Sequence, residues 1–436
     1  MKFLANNKED KLMSFQIVGP VEENRVFCSG SFTKLLTTFV CLSLLSEKYD
    51  LHEVLDEMDF FDKICVNNES KNFLKIFQKV IGSQFSLRDL CSYYSGLPYT
   101  FDVSEDEIEK VEQGQPFKHH SILDEKTFLS KCINNITPVY KDECKFHYSE
   151  ISIIFLGYII EKIYGLQIEE LYHKYVIGKF KLQHSQFSRK KVPDVYIQDL
   201  SDQYDYPAIA ILDHGYFCYS NGFFTTLNNM KVLLENFLNE PIFQLMCEVK
   251  YARAASNRIM EGLTVEIREV GEDIIYGYEG LSYSGTNIWA YSTKLKQGYL
   301  SFMNSEERAY DIYNLFGYKE FDLVPSYAEE IYLNFIHKPH PSFPDLEIYP
   351  EYQGNYHRVK INETDLDTVF VVGDHFIIIR NPDEIKYNVI FVDGNYRVRG
   401  KDGEPDSKVG LIQSKSGHKY MYYDGTLYRK ISMLSS

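Results

Sequence analysis

Cys28-Ser29-Gly30-Ser31-Phe32-Thr33-Lys34 runs directly into Leu35-Leu36-Thr37-Thr38-Phe39-Val40-Cys41-Leu42-Ser43-Leu44-Leu45. The second stretch is apolar almost all round, so it reads as a buried helix. Ser31 falls on its first turn. Lys34 lies on the same face, because residues three apart on a helix are neighbours. A serine there sits at the positive end of the helix dipole. An amine beside the hydroxyl can take its proton, which gives a serine nucleophile without a histidine. The pair alone is weak evidence, since about two Ser-x-x-Lys pairs arise by chance in a chain of this length at average usage. The others here are Ser188/Lys191 and Ser416/Lys419, and only Ser31/Lys34 leads a long apolar run. Ser188/Lys191 lies in the basic stretch Arg189-Lys190-Lys191, and Ser416/Lys419 flanks Gly417 in a turn-rich tail, so both read as solvated surface. A helix cap next to a surface lysine is the competing reading of Ser31/Lys34.

The 436 residues are 44% apolar and 25% charged, an ordinary globular composition long enough for two or three domains. A net charge of −16 argues against a nucleic-acid backbone or an anionic membrane as the main partner. Met1 to Asp10 has no apolar core of a secretory signal. The run from Phe32 to Leu45 is too short to span a bilayer and is interrupted by Lys34, Thr37, Thr38 and Ser43. The eight Cys are scattered, with no Cys-x-x-Cys spacing, so free thiols in a reducing cytoplasm are expected. His119-His120 and His337/His340 read as loop histidines, and no metal or cofactor is expected.

The pattern predicts a strand over Ser14 to Val18, a helix or two with loops over 50–85, and a helix start capped by Ser86. That helix meets a break at Gly96-Leu97-Pro98. Residues 102–120, acidic and then turn-like, read as a surface excursion. Ser149 to Tyr164 is the second strong helix, capped by Ser149, with Glu150 in its first turn and Gly165 ending it. Asn228 to Leu238 reads as a weaker helix. Thr286 to Tyr291 and Tyr299 to Met303 read as paired strands, and Ser326 to Phe335 as a closing helix. His337 to Pro350 carries Pro339, Pro341, Pro344 and Pro350 and reads as a linker. Beyond it, short Tyr/Val/Ile-rich runs are broken at Gly373-Asp374, Asp393-Gly394-Asn395, Asp402-Gly403 and Asp424-Gly425, the mark of an antiparallel β module. The expected fold class is therefore α+β. An antiparallel sheet flanked by helices over 1–336 precedes the linker 337–350 and a small all-β domain over 351–436.

Four segments in order carry a resemblance. They are Phe27 to Lys34, Leu87-Arg88-Asp89-Leu90-Cys91-Ser92-Tyr93-Tyr94-Ser95-Gly96-Leu97-Pro98, Phe146-His147-Tyr148-Ser149-Glu150 with its helix to Gly165, and Gly277-Tyr278-Glu279-Gly280 followed by Ser284-Gly285-Thr286. Together they resemble the serine β-lactamase and penicillin-binding-protein family, on the branch with class C β-lactamases, D-aminopeptidases and related esterases. The resemblance covers roughly residues 20–335. Tyr352 to Tyr356 and the β-rich tail resemble the lipocalin-like C-terminal domain of some members.

The resemblance implies that Ser31 is the acyl-accepting nucleophile, Lys34 its proton acceptor and Tyr148 a proton shuttle to the leaving group. The Ser31 N–H and one from the strand after the fourth segment would form the oxyanion hole, with donors worth about 3–4 kcal/mol in comparable sites. Glu150, Tyr93, Tyr278, Gly280 and Leu281 would line the substrate site. Four departures stand out. Glu150 takes the place of an Asn; it only accepts hydrogen bonds when ionised, and it favours a charged Lys34, a poorer base. Tyr278 stands where Lys or His is usual, which removes a cation that often meets a substrate carboxylate. Tyr93 replaces a common His. Ser31 also lies so early that the usual N-terminal helix and hairpin look largely missing, leaving a sheet edge open to a partner chain or another segment.

Two functions follow as expectations. One is a cytoplasmic serine hydrolase or acyltransferase acting through acyl-Ser31 on an ester, a thioester or a peptide, D-residue peptides included. The other is a catalytically weak or inactive relative used for binding or as a scaffold. The expected partner is a small-molecule or peptide substrate, with no nucleic acid and no membrane; a homodimer is the candidate assembly.

Overall fold

The computed structural model describes residues 2–4, 17–18, 26–82, 84–115, 122, 124–138, 146–190, 215–248, 251–254, 259–270, 272–282, 285–303, 348–358, 369–373, 376–380, 384–392, 395–399, 405–423 and 426–432. The expected closing helix over Ser326 to Phe335, both histidine pairs and most of the Pro-rich linker lie outside these residues.

The main sheet is built from β1 (Lys2–Leu4), β2 (Ile17–Val18), β6 (Tyr251–Ala254), β7 (Ile259–Glu261), β8 (Glu266–Val270), β9 (Asp273–Ser282), β10 (Gly285–Ser292) and β11 (Gln297–Met303). Its order is β2-β1-β11-β10-β9-β8-β7-β6, and its paired strands are antiparallel. A small three-stranded sheet joins β3 (Phe27–Cys28), β5 (Phe223–Thr225) and β4 (Gln186–Phe187) in that order. The open edge expected from the early Ser31 is a correction: β1 pairs along β11 and β2 along β1. A three-residue strand whose partner lies almost three hundred residues downstream leaves no periodic signal in the sequence. Strands β6 to β8 were equally illegible.

Helix Phe32–Leu45 is buried along its whole length, as its apolar content requires. Full burial of each Leu, Val or Phe contributes about 1.5–3 kcal/mol. Its start packs on the main sheet, with the Phe32 ring edge-on to Trp289 at 6.2 Å. Helix Glu150–Tyr164 is the second core helix. Ser149 caps it by accepting from the Ser152 N–H at 3.0 Å, and Gly165 closes it in the left-handed region at φ 66°. Gly157 sits against the Tyr219 ring, where a Cβ would collide. Ser86 caps helix Leu87–Cys91 in a reciprocal capping box with Asp89. The seven described cysteines are free and buried. No single described helix is long and apolar enough to cross a membrane.

The C-terminal strands form a closed barrel in sequential order: β12 (Gly354–Arg358), β13 (Val369–Val372), β14 (Phe376–Arg380), β15 (Glu384–Val392), β16 (Asn395–Arg399), β17 (Pro405–Gln413), β18 (Lys419–Tyr423) and β19 (Thr426–Ser432). Closure through the β12–β19 pair removes the free edges that an open antiparallel sheet would leave. Its interior is filled by Tyr356, Val372, Ile377, Val389, Val409 and Met421. Ile348, from the stretch read as linker, belongs to this core.

The surface excursion expected over 102–120 is a second correction. Ser104 starts helix Glu105–Glu112 with a capping box, and the barrel docks on it. Ile108 is buried against Tyr420, Tyr422 and Leu427. The Tyr422 hydroxyl donates to the Phe101 carbonyl at 2.9 Å. The Ser416 hydroxyl donates to Glu112 at 2.7 Å, and His418 Nδ1 meets the same carboxylate at 2.9 Å. Ser416 is the main cause that pulls the Glu112 carboxyl down to about 2, helped by Ser414, His418 and Tyr420 against partial burial. Ile108, the one buried side chain of this acidic helix, is therefore an anchor, with Val111 packed beside it. Ile108→Asp places a carboxylate in that apolar contact and is expected to destabilise the chain by about 3 kcal/mol. Amide exchange should rise in the helix and in β18 while helix Phe32–Leu45 stays protected; unchanged exchange at β18 would contradict the docking.

Candidate active site

Ser31 is the N-cap of helix Phe32–Leu45, one position before the first turn where the sequence reading put it. Gly30 makes the sharp strand-to-helix turn with φ 52°, a value that favours glycine. The turn is pinned by Ser29 N–H to the Phe223 carbonyl at 2.9 Å and by Phe223 N–H to the Thr33 hydroxyl at 3.1 Å. The Ser31 side chain makes no capping bond. Its Oγ instead accepts from Lys34 Nζ at 2.8 Å. This disposes of the cap-plus-surface-lysine reading, because Lys34 is fully buried. Among the described residues the Ser31 N–H has no hydrogen-bond acceptor.

Lys34 Nζ also meets Glu150 Oε1 at 3.2 Å, an ion pair with side-chain exposures of 0% and 4%. Burial alone pulls the Lys34 amine down. The nearby Tyr148 and Glu150 outweigh it, and the result is raised above the ordinary lysine value. The resting site thus holds an ammonium. The Tyr148 ring lies under it, with its centroid 5.1 Å from Nζ. Two of the four sequence segments, the first and the third, converge here, since Tyr148 and Glu150 come from the start of the second core helix.

The second and fourth segments meet behind Tyr148. The Tyr93 and Tyr278 hydroxyls are 2.8 Å apart, and both side chains are buried. Tyr93 holds φ 62°, a left-handed value uncommon for a bulky residue, and its ring lies 5.0 Å from that of Tyr148. Burial, with Tyr148 and Tyr93 adding to it, keeps the Tyr278 phenol well above its ordinary value, so it is neutral. Gly280 lies on β9 where a Cβ would strike the Ser29 carbonyl and the Asn287 amide. Leu281 follows it on the same strand, opposite Thr286.

Three residues of this site escaped the sequence reading. Asn221, at the end of helix Cys218–Asn221, donates to Glu150 Oε1 at 3.0 Å. Asn287, paired with Gly280 across β9 and β10, donates to the Ser29 carbonyl at 3.0 Å. Tyr99 accepts the Glu150 N–H through its carbonyl at 2.9 Å and stacks on Tyr148 at 5.9 Å. Counting the β9–β10 register could have found Asn287. Asn221 and Tyr99 carry no local signal. Cys28, next to the nucleophile turn, is inert: burial pushes its thiol up to about 11. Among the described residues no group of three or more His, Cys, Asp or Glu is placed to hold a metal.

An antiparallel sheet, a buried helix opening on Ser-x-x-Lys and a tyrosine from a second helix start define an active-site-serine fold. The Beta-lactamase family model matches residues 3–294, and the chain belongs to the beta-lactamase family, whose members are serine hydrolases. The chain is similar in structure to a penicillin binding protein from Bacillus halodurans, at TM-score 0.53 and 18% identity over 72% of this chain and 95% of that one. It is also similar to the octameric penicillin-binding protein homologue from Pyrococcus abyssi, at TM-score 0.53 and 14% identity over 98% and 95%. A D-stereospecific amidohydrolase from Streptomyces sp. matches at TM-score 0.52 and 14% identity over 70% and 89%. No curated protein matches the chain in sequence. At these identities the likeness shows the fold.

The Gly280 contact is directly testable. Gly280→Ala forces β9 away from the Ser29 carbonyl and is expected to cost about 1–3 kcal/mol of stability, the range for overpacking. Thermal melting and labelling of Ser31 should both fall. An unshifted melt with normal labelling would contradict the close approach.

Proposed function

We propose that this protein is a serine hydrolase or acyltransferase that forms an acyl-enzyme on Ser31. The observation that carries this reading is the 2.8 Å contact between Ser31 Oγ and a fully buried Lys34 Nζ, on a serine side chain that is not used as a cap. Lys34, once neutral, takes the Ser31 proton as Oγ attacks a carbonyl carbon. Tyr148, beside Lys34, passes a proton to the leaving group. The Ser31 N–H, with a second donor from β9 at Leu281, holds the oxyanion. Water then repeats the sequence on the acyl-enzyme, or another nucleophile takes the acyl group.

Substrate chemistry follows from the walls. Tyr93, Tyr99, Tyr148 and Tyr278 surround the site with phenol, and the usual cation is replaced by a neutral hydroxyl engaged with Tyr93. A substrate that depends on its own carboxylate for binding is therefore disfavoured. Esters, thioesters and peptides without a carboxylate near the scissile bond fit better. The resemblance in fold to a D-stereospecific amidohydrolase supports including D-residue peptides.

A second reading has its own observation. The Lys34–Glu150 ion pair holds the general base in its charged form, which suits a weak or inactive relative kept for binding. One experiment separates the two. Incubation with a fluorophosphonate or a penicillin-type probe should give an adduct on the peptide carrying Ser31, seen by mass spectrometry. Ser31→Ala should remove it, and Lys34→Ala should slow its formation by about 10³-fold or more. Well-folded protein without a Ser31 adduct across several probes would favour the binding role.

A further inference from the structure

Lys34 Nζ is shut off from solvent and faces Ser31 Oγ at 2.8 Å, Glu150 Oε1 at 3.2 Å and the Tyr148 side chain. An ammonium in that position donates to Ser31 and cannot accept from it. Before it can act as a base, Lys34 has to release a proton, and a group with no water contact has to release it to a neighbour. The groups that face it are few. Ser31 lies on its own helix, and Tyr148 and Glu150 come from the start of the second core helix. Asn221 approaches Glu150 from helix Cys218–Asn221. Tyr93 and Tyr278 lie beyond Tyr148, bonded to each other. Among the described residues, Glu150 is the carboxylate within ion-pair reach of Nζ.

We infer that Glu150 acts through Lys34 as a proton store, so that Ser31, Lys34 and Glu150 form one buried relay. The inference rests on the acyl-Ser31 reading. In the resting site Lys34 is an ammonium and Glu150 a carboxylate. The Nζ proton passes to Oε1, leaving a neutral amine and a neutral acid. Two ions buried together carry a desolvation penalty, and the neutral pair escapes it. An acyl group settling on the partly buried Ser31 shields the pair further and tips the balance the same way. As the Oγ–C bond forms, the Ser31 proton moves to Nζ and the carbonyl π pair moves to oxygen. The site then holds an ammonium, a carboxylic acid and an oxyanion, with total charge unchanged. On collapse the C–O double bond re-forms and the leaving group departs with a proton from Tyr148, which Lys34 replaces. The Glu150 proton then returns to Lys34.

Two details fit this role. Asn221 Nδ2 donates to the same Oε1 that meets Lys34, which fixes that oxygen toward the amine. Glu150 is the first residue of its helix, where the dipole favours a carboxylate at rest and so restores the ion pair after each turnover. The Asn found at this position in relatives can make hydrogen bonds but has no basic oxygen to keep a proton.

The test is the rate of Ser31 labelling by a fluorophosphonate probe as a function of pH, on the full chain and on Glu150→Gln and Glu150→Asp. Folding of each is checked by thermal melting. The relay predicts a flat wild-type profile across neutral pH. Glu150→Gln should label about 10²–10³-fold more slowly at neutral pH, the range for losing a proton-transfer partner. Its rate should climb with pH until Lys34, lowered by burial once its carboxylate partner is gone, is neutral, because the amine then loses its proton only to solvent. Glu150→Asp should keep the flat profile. The relay is overturned if Glu150→Gln labels at neutral pH as fast as wild type or faster. Should Glu150→Gln not fold, the wild-type profile decides: flat supports the relay, and a steady climb with pH overturns it. Wild-type protein that takes no label at any pH would remove the acyl-Ser31 reading and the relay with it.

Discussion

A lysine ammonium with no access to water must be paired where it lies, and the core of this protein is arranged around that requirement. Lys34 sits one turn into a helix buried along its whole length. Its partners are Ser31 below it and Glu150 from the second core helix. Breaking a buried pair by removing one partner typically costs about 3–5 kcal/mol, because it strands the other charge. The pair therefore fixes the relative position of the two helices as firmly as the apolar contacts around it. The same pair sets the chemistry, since the groups that make burial of the amine tolerable also decide when it can act as a base.

The rest of the site is a frame around that pair. Asn287 ties the β9–β10 hairpin to the Ser29 carbonyl, and the Ser282 hydroxyl donates to the Cys28 carbonyl at 2.8 Å. The main sheet is thus bonded directly to the turn that carries Ser31, and Gly280 permits the approach. On the far side, the strained backbone at Tyr93 aims a phenol at Tyr278. Strain of this kind, about 1–3 kcal/mol at a non-glycine residue, persists where the surroundings over-determine it. Here a hydroxyl pair, Tyr93 with Tyr278, lies beside the site, and Lys34 is the cation that faces Ser31.

The barrel is coupled to this frame through one short stretch. Tyr422 holds the Phe101 carbonyl, and two residues earlier Tyr99 holds the Glu150 N–H and stacks on Tyr148. The docking helix Glu105–Glu112 follows immediately. The barrel and the start of the second core helix are therefore joined through three consecutive residues, Tyr99 to Phe101, a shorter path than the sequence distance between them suggests.

The sequence by itself determined the elements whose signal is local. The all-apolar run after Ser31, the Ser149 cap with its Gly165 stop, the Ser86 capping box and the turn-punctuated tail follow from side-chain periodicity and cap chemistry. The structure keeps all of them. The ordered segments also marked Ser31, Lys34, Tyr148, Glu150, Tyr93, Tyr278 and Gly280, and the chain brings them together. What only the tertiary structure decided is everything that depends on pairing across long sequence separations. It covers the main sheet's edge with β1 and β2, turns an acidic excursion into a docking helix, and closes the tail into a barrel. It places Asn221, Asn287 and Tyr99 at the site. These rest on hydrogen bonds and register between residues tens to hundreds of positions apart, which leave no local pattern to read. Whether Lys34 is a surface charge or a buried one is of the same kind: its identity is written in the chain, but its charge state is set by the carboxylate that folding brings beside it.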